Sequence, residues 1–183
     1  MQNDREILVE KLQDWAVSLE AFRLPAWEEL PDFGLYMDQV IAILNRYLDA
    51  LPAVDASISA STINNYVRLR VMPAPYKKKY SRIHLAYLLM ICTLKQGMGI
   101  AGIRQILPAD LSEEKMHRFY DQYTHHHSDV RQLFLRQVEE LAHALLGTNM
   151  DNDTVLASLA ASAAVTAGLA QTLAESLVSS LPD

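Results

Sequence analysis

The sequence predicts an all-α protein in which a small core is followed by a helical C-terminal arm. Apolar residues recur at three- and four-residue steps over most of the chain, as they do on one face of an α-helix. Only six glycines and seven prolines occur among the 183 residues, so long stretches are free to be helical. Half of the residues are hydrophobic and 21% are charged, a composition that can bury a core and is not typical of disorder.

Three helices are predicted in the first part of the chain. Residues 4–23 form the first and residues 37–51 the second, and a proline follows each of them. Ser59 is a favourable N-cap for a short third helix that ends near Leu69.

The third helix has one face that is entirely polar. When Ile63 is placed at the centre of the buried face, Tyr66 and Val67 fall beside it, and so does Arg70. The opposite side and the flank carry short polar side chains, one arginine and no acid. These residues are Ser61, Asn64, Asn65 and Arg68.

A lysine-rich segment follows this helix. Pro73 and Pro75 break the chain, and the next N-cap is Ser81, so residues 76–80 are too few for a helix. We expect a short hairpin or an extended loop with three lysines, residues 77–79, at its tip.

The rest of the chain is predicted to be helical apart from short connections. A fourth helix, residues 82–96, has an almost entirely apolar middle and is expected to lie at the centre of the core. Further helices span residues 100–107, 116–144 and 154–181. The longest of these carries a heptad seam that His127 and Gln137 interrupt. A polar seam residue such as His127 can set the register between paired helices and titrate near neutral pH. The predicted divisions are an N-terminal helix (1–29), a core domain (30–109) and a dimerisation and regulatory arm (110–183).

The charges are distributed unevenly along the chain. The net charge of −6 on its own argues against a nucleic-acid partner. Residues 56–109, however, contain eight lysines and arginines and no acid, whereas the stretches before and after each contain four basic and eleven acidic residues. This asymmetry predicts a segment that binds a polyanion. The alternative is chance combined with a buried apolar helix that excludes carboxylates.

Residues 59–103 resemble the DNA-binding domain of MerR-type regulators. The family has a Ser-x-x-Thr-Leu-x-x-Tyr recognition helix, a basic Arg-x-Tyr-Ser wing and a glycine-led final turn. The matching residues are Ser59, Thr62, Ile63 and Tyr66 in the helix, Pro75, Lys79, Tyr80 and Ser81 in the wing, and Gly97, Ile100 and Ile103 in the turn. Two features differ: the preceding helix is longer here, and Arg70 replaces the glycine that follows the recognition helix. The resemblance implies a winged helix-turn-helix core.

A closer similarity covers roughly residues 30–107. The segments Leu35-Tyr36-Met37, Ile63-Asn64-Asn65-Tyr66-Val67 and Lys77-Lys78-Lys79-Tyr80-Ser81 are similar to a bacterial family catalogued as domain of unknown function 1836. That similarity implies no activity and favours a winged-helix fold.

The basic segment and the resemblance together predict a sequence-specific transcriptional regulator of MerR-like type that binds double-stranded DNA as a dimer in the cytoplasm. Lysine and arginine neutralise phosphates, while asparagine pairs with adenine and arginine with guanine in the major groove. The residues expected to contact DNA are Ser61, Thr62, Asn64, Asn65, Tyr66, Arg68, Lys77, Lys78, Lys79, Tyr80 and Arg82. For Tyr66 and Tyr80, packing in the core is an equal alternative.

We expect the homodimer to form through residues 116–181. In the last helix, small residues such as Ala160, Ala164 and Gly168 recur at four-residue steps, as in closely packed helices. Polar residues interrupt this helix and no lysine or arginine follows Arg136, so a membrane-spanning role is less favoured. The first residues contain no apolar stretch typical of a signal peptide.

We expect no enzyme activity, no cofactor and no metal. The sequence contains no phosphate-binding glycine loop and no Ser-His-Asp spacing, and Cys92 is expected to be a buried apolar residue. The consecutive histidines 125–127 point about 100° apart on a helix, so at most one or two of them share a metal site. His117, Asp121 and His125 share a helix face, which is more typical of a solvated surface than of a ligand set.

Two other functions are compatible with the sequence. A winged helix that does not bind DNA would serve as a protein-interaction module, with Lys77–Lys79 against an acidic partner. A small-ligand sensor would place its pocket between arm and core. The aromatic residues expected around such a pocket are Trp15, Trp27, Tyr120 and Tyr123.

Overall fold

The computed structural model describes residues 2–48, 58–109, 112–148 and 150–181. These residues form seven α-helices and one short 3-10 turn, Trp27–Glu29. The α-helices are α1 (Gln2–Ala21), α2 (Met37–Leu48), α3 (Ala60–Arg68), α4 (Arg82–Leu94), α5 (Ile100–Ile106), α6 (Glu113–Leu146) and α7 (Asn152–Val178). The β-structure in the described residues consists of two isolated bridges. The predicted all-α class is therefore confirmed.

The observed helix boundaries lie within a few residues of the predicted ones. The largest extension is that of α6, which begins three residues before the predicted seam and ends two residues after it. The last three residues predicted for the second helix, 49–51, lie outside the described part of the chain.

α4 lies at the centre of the core, as its apolar sequence predicted. Every side chain from His84 to Cys92 is buried. α2 and α6 both contact α4, and Val40 and Leu44 of α2 and Met116 of α6 are 0% exposed. Because each fully buried aliphatic side chain stabilises a fold by about 1.5–3 kcal/mol, this helix contributes a large share of the core.

The segment between α1 and α2 is fixed by polar contacts. Both terminal nitrogens of Arg23 donate to the carboxylate of Glu29, at 2.6 and 2.7 Å, and the Ala26 N–H donates to Glu29 Oε2 at 2.6 Å. The hydrogen bonds from Arg23 and from the Ala26 N–H lower the pKa of Glu29 to about 2. The hydroxyl of Tyr120 in α6 donates to the Pro25 carbonyl at 2.9 Å. The segment is therefore attached to α6.

α6 is one continuous helix of 34 residues that contacts both the core and α1. Nη1 of Arg131 donates to the carbonyl oxygens of Leu19, at 2.9 Å, and of Glu20. These carbonyls lie at the C-terminal end of α1, where a helix leaves its last acceptors unpaired. Arg131 therefore caps α1.

Part of the predicted heptad seam packs against other helices of the same chain. Met116 and Tyr120 are buried in the core, whereas Val130 is 48% exposed. The N-terminal part of the seam is therefore covered by the chain's own helices and is not available to a partner.

α7 packs against α1, α5 and α6 and keeps most of its surface exposed. Val155 is its single buried side chain, while Leu169, Leu173 and Leu177 are 68%, 60% and 60% exposed. By length and composition α7 is apolar enough to cross a membrane, with a mean hydropathy of 1.4 over 18 residues, of which 6% are buried.

Candidate nucleic-acid interface

The polar helix α3 begins at the predicted N-cap. The Ser59 side chain accepts a hydrogen bond from the Thr62 N–H at 3.2 Å, and its oxygen lies 2.9 Å from the Thr62 hydroxyl. The Ser61 hydroxyl lies 2.7 Å from Ser59 Oγ. Thr62 is half-buried and takes part in this capping network, while Ser61 is exposed. A side-chain cap of this kind stabilises a helix by about 1 kcal/mol.

The exposed face of α3 is formed by three of the four predicted residues. Ser61, Asn64 and Arg68 are exposed, and Asn65 is half-buried. Asn65 Oδ1 accepts a hydrogen bond from Nη2 of Arg68 at 2.6 Å. This contact orients the Arg68 guanidinium and leaves the Asn65 amide nitrogen to donate elsewhere.

Tyr66 and Tyr80 are core residues. They are 4% and 3% exposed, and burial raises the pKa of Tyr66 to about 12 and also raises that of Tyr80. Both are among the residues predicted to contact DNA, and their burial favours the alternative of core packing. The rings face inward because α3 and the segment before α4 pack through them onto the core.

α3 ends in a left-handed C-cap formed by Arg70. The Val71 N–H donates to the Tyr66 carbonyl and the Arg70 N–H to the Val67 carbonyl, both at 3.0 Å, and Arg70 has a φ of 55°. Glycine is the usual residue at this position. The prediction that Arg70 lies beside the buried face is wrong, because the helix ends at Arg68 and the chain reverses, leaving Arg70 exposed.

Residues 76–79 form a tight hairpin, here called the lysine hairpin. Tyr76 and Lys79 form an antiparallel bridge, and the Lys79 N–H donates to the Tyr76 carbonyl at 2.9 Å. Lys77 and Lys78 form the turn with φ values of 48° and 62°. Positive φ at both central residues defines a type I′ turn. A hairpin was one of the two expected forms, and its tip consists of Lys77 and Lys78, with Lys79 in the bridge.

The lysine hairpin is attached to the segment before α2. Leu35 and Tyr80 exchange two backbone hydrogen bonds, each of 2.8 Å. Lys79 runs over this segment, with Nζ 5.7 Å from the Tyr36 ring centroid. A Cβ on Gly34 would lie 3.0 Å from Lys79 Cδ, so a larger residue there would require the Lys79 side chain to shift.

The Arg82 side chain mainly makes contacts within the protein. Its Nε donates to the Leu30 carbonyl at 3.0 Å, and the guanidinium carbon lies 5.6 Å from the centroid of the Trp27 ring. Arg82 is half-buried as a result. Only its terminal nitrogens remain for the predicted DNA contact.

Two further arginines line one cavity that the sequence did not indicate. Arg70 and Arg104 both line a cavity of about 540 Å³ at the end of α3, together with Tyr87 and Pro108. Both arginines are exposed. Both arginines belong to the acid-free segment, which indicated a role in anion binding. Their spacing in the sequence did not predict that they line the same cavity.

The basic residues of the acid-free segment form no ion pairs within the described residues. The ion pairs that the structure describes involve Arg23, Arg118 and His117, which all lie outside residues 56–109. Arg68, Arg70, Lys77, Lys78, Lys79, Lys95 and Arg104 are exposed. These charges are therefore available to an anionic partner.

The histidine-rich part of α6 serves packing and surface contacts. His117 stacks on Trp27 and its Nε2 lies 3.1 Å from Asp121 Oδ2, while His125 Nδ1 lies 2.7 Å from the Asp121 carbonyl oxygen. His127 packs edge-on against Phe22, and burial, Arg131 and His126 lower its pKa. No three His, Cys, Asp or Glu side chains group as metal ligands among the described residues.

Cys92 and three of the four aromatics expected around a ligand pocket lie in packed surroundings. Cys92 is buried as predicted, and burial raises its pKa to about 12. Trp27 and Tyr120 pack on each other, and the Tyr123 hydroxyl lies 2.7 Å from Thr93 Oγ1. These three rings make packing contacts, whereas Trp15 lines a cavity between α1, α6 and α7.

The comparisons with known proteins identify one family. A family model described as Domain of unknown function (DUF1836) matches residues 25–123, more than half of the chain. The match extends past the predicted core domain at both ends, and the Tyr120–Pro25 hydrogen bond joins these extensions. No curated protein and no solved structure matches the chain.

Proposed function

The chain belongs to the DUF1836 family, and we propose that it is a sequence-specific transcriptional regulator of MerR-like type that binds double-stranded DNA as a dimer. The observation that carries this proposal is the lysine hairpin. It places Lys77 and Lys78 on an exposed turn, in a segment without carboxylates, although the protein as a whole is acidic. Lysines so placed provide the phosphate contacts that dominate DNA affinity.

The order of the elements supports a winged helix. The Leu35–Tyr80 bridge, α2, α3, the lysine hairpin and α4 follow one another as a strand, two helices, a wing and a third helix would. In this arrangement α3 is the recognition helix and the lysine hairpin is the wing.

Base reading would rest on the exposed face of α3. Asn64 has the bidentate geometry that suits adenine, and Arg68, oriented by Asn65, suits guanine. Arg70 and Arg104 extend the set of phosphate contacts beyond the residues that the sequence suggested.

The test is a fluorescence-anisotropy titration of a labelled random 24-base-pair duplex at 50, 100 and 200 mM salt. The wild-type protein is expected to bind, with an affinity that falls steeply as salt rises. The double variant Lys77→Ala/Lys78→Ala is expected to lower the slope of log affinity against log salt by about two, one for each phosphate contact.

The matched control removes two exposed lysines elsewhere. Lys11 on α1 and Lys115 on α6 are both exposed and lie outside the acid-free segment. The double variant Lys11→Ala/Lys115→Ala should keep the wild-type slope. Absence of binding at 50 mM salt, binding that is indifferent to salt, or equal losses in both double variants would each contradict the proposal.

The dimer is proposed to form between α7 helices of two copies. Between Asp153 and Glu175 the helix has no charge, and Leu169 and Leu173 are exposed. A surface of this kind suits an equally uncharged partner, and a second copy would supply the two half-sites that helix-turn-helix dimers read.

Sedimentation equilibrium tests the dimer. Wild-type protein is expected at twice 20.6 kDa, and Leu173→Glu at the monomer mass. Val17→Glu is the matched control, since Val17 on α1 is 64% exposed and Leu173 60%. A monomeric wild type, or equal dissociation by both variants, refutes the α7 interface.

A further inference from the structure

A second cavity lies between α1, α6 and α7, and none of its lining residues belongs to the acid-free segment. Its volume is about 280 Å³. Trp15 of α1 and Phe134 of α6 form one wall, with their ring centroids 6.3 Å apart and their planes nearly perpendicular. Leu159 and Ala163 of α7 form another. Trp15 and Leu156, which line it, are 37% and 46% exposed, so the cavity is open to solvent and a small molecule can reach it.

The lining is apolar apart from three neutral polar side chains. Among the described residues that line it, none is ionisable. The polar groups are the amide of Gln137 on α6 and the hydroxyls of Ser162 and Thr166 on α7. Ser162 and Thr166 are one helical turn apart and therefore lie on the same face.

These two hydroxyls have no partner among the residues that the structure describes. Serine and threonine in a helix commonly donate to the carbonyl four residues earlier, as Thr172 does to Gly168 at 2.9 Å and Thr93 does to Leu89 at 3.0 Å. Ser162 and Thr166 make no hydrogen bond to the part of the chain that the structure describes. They are therefore free to bind a ligand.

We propose that this cavity binds a neutral, largely apolar molecule of about eleven heavy atoms that carries one hydrogen-bonding group. An engineered cavity of about 150 Å³ accommodates benzene, so about 280 Å³ accommodates roughly twice that size. The apolar part lies against Trp15 and Phe134, and the polar group bonds to Ser162 and Thr166. Because no lining residue carries a charge, an ionised ligand loses its hydration without compensation and is excluded.

Isothermal titration calorimetry of the full chain tests the site with two probes of the same ring system. 2-Naphthol has eleven heavy atoms and is neutral at pH 7, while 2-naphthoate is an anion. 2-Naphthol is expected to bind with one site per chain and a Kd below about 1 mM, and 2-naphthoate at least tenfold more weakly. The absence of 2-naphthol binding, or equal binding of the two probes, overturns the proposal.

Two neighbouring alanines provide a matched pair of variants. Ala163 lines the cavity and Ala164 does not. Ala163→Leu fills the cavity and should abolish 2-naphthol binding, whereas Ala164→Leu should bind like the wild type. Equal binding by both variants would locate the probe on the outer surface of α7 and overturn the proposal.

A third variant keeps the test decisive if Ala163→Leu fails to fold. Ser162→Ala/Thr166→Val removes both hydroxyls with little change in volume and should weaken 2-naphthol binding about tenfold, as expected for the loss of neutral hydrogen bonds. Unchanged affinity would show that the hydroxyls do not hold the ligand and would refute the assignment. None of these measurements involves DNA, so their outcome is independent of the proposed function.

Discussion

Replacing Lys78 by glycine tests the conformation of the lysine hairpin. Lys78 has a φ of 62°, in the left-handed region where glycine has no steric cost. A non-glycine residue there costs about 1–2 kcal/mol, and glycine loses about 0.4–1 kcal/mol through the greater freedom of the unfolded chain. The net gain for Lys78→Gly is therefore about 1 kcal/mol, or about 2–4 °C in Tm for a chain of this size.

The effect of the backbone is separated from the effect of charge by a second variant. Lys78→Ala removes the same lysine, but alanine must adopt the same left-handed backbone conformation at a steric cost. Urea denaturation followed by circular dichroism should show Lys78→Gly to be more stable than Lys78→Ala by about 1 kcal/mol. The anisotropy titration should show equal losses of DNA affinity in both. If the glycine variant is no more stable than the alanine variant, the type I′ assignment is refuted.

Three further predictions concern stability and are measured by urea denaturation. Arg70→Gly should stabilise the protein by about 1 kcal/mol, since Arg70 also has a positive φ, and a loss of stability would contradict the left-handed C-cap. Arg131→Met should destabilise it by about 2 kcal/mol through loss of the α1 cap, whereas Arg136→Met, exposed on the same helix, should have little effect. Burial lowers the pKa of His84 and His127 below 6.5, so the unfolded chain takes up protons first and stability should fall as the pH drops below that value. His127→Gln should make this fall shallower between pH 7 and pH 5, and an unchanged pH dependence would exclude His127 as a contributor.

Local signals predicted the helices and their starts. Ser59 and Ser81 precede α3 and α4 as expected, because capping depends on a few neighbouring residues. The apolar run of α4 predicted its central position, because a helix that is apolar on all sides must be buried.

Backbone conformation and long-range packing were not readable from the sequence. Nothing local indicates that Arg70, Lys77 and Lys78 adopt left-handed conformations, since glycine or asparagine is the usual signal. The heptad seam predicted the spacing of the apolar residues on α6 but not which helices cover them. The burial of Met116 and the exposure of Val130 were therefore not predicted. These depend on contacts between distant parts of the chain.

The uninterrupted course of α6 has a mechanical consequence. At 1.5 Å per residue its 34 residues form a rod about 50 Å long. One end is embedded beside α4 and the other is bracketed by α1 and α7. Because the helix is unbroken, a displacement of its distal end is transmitted along its length to the turns that pack beside α4.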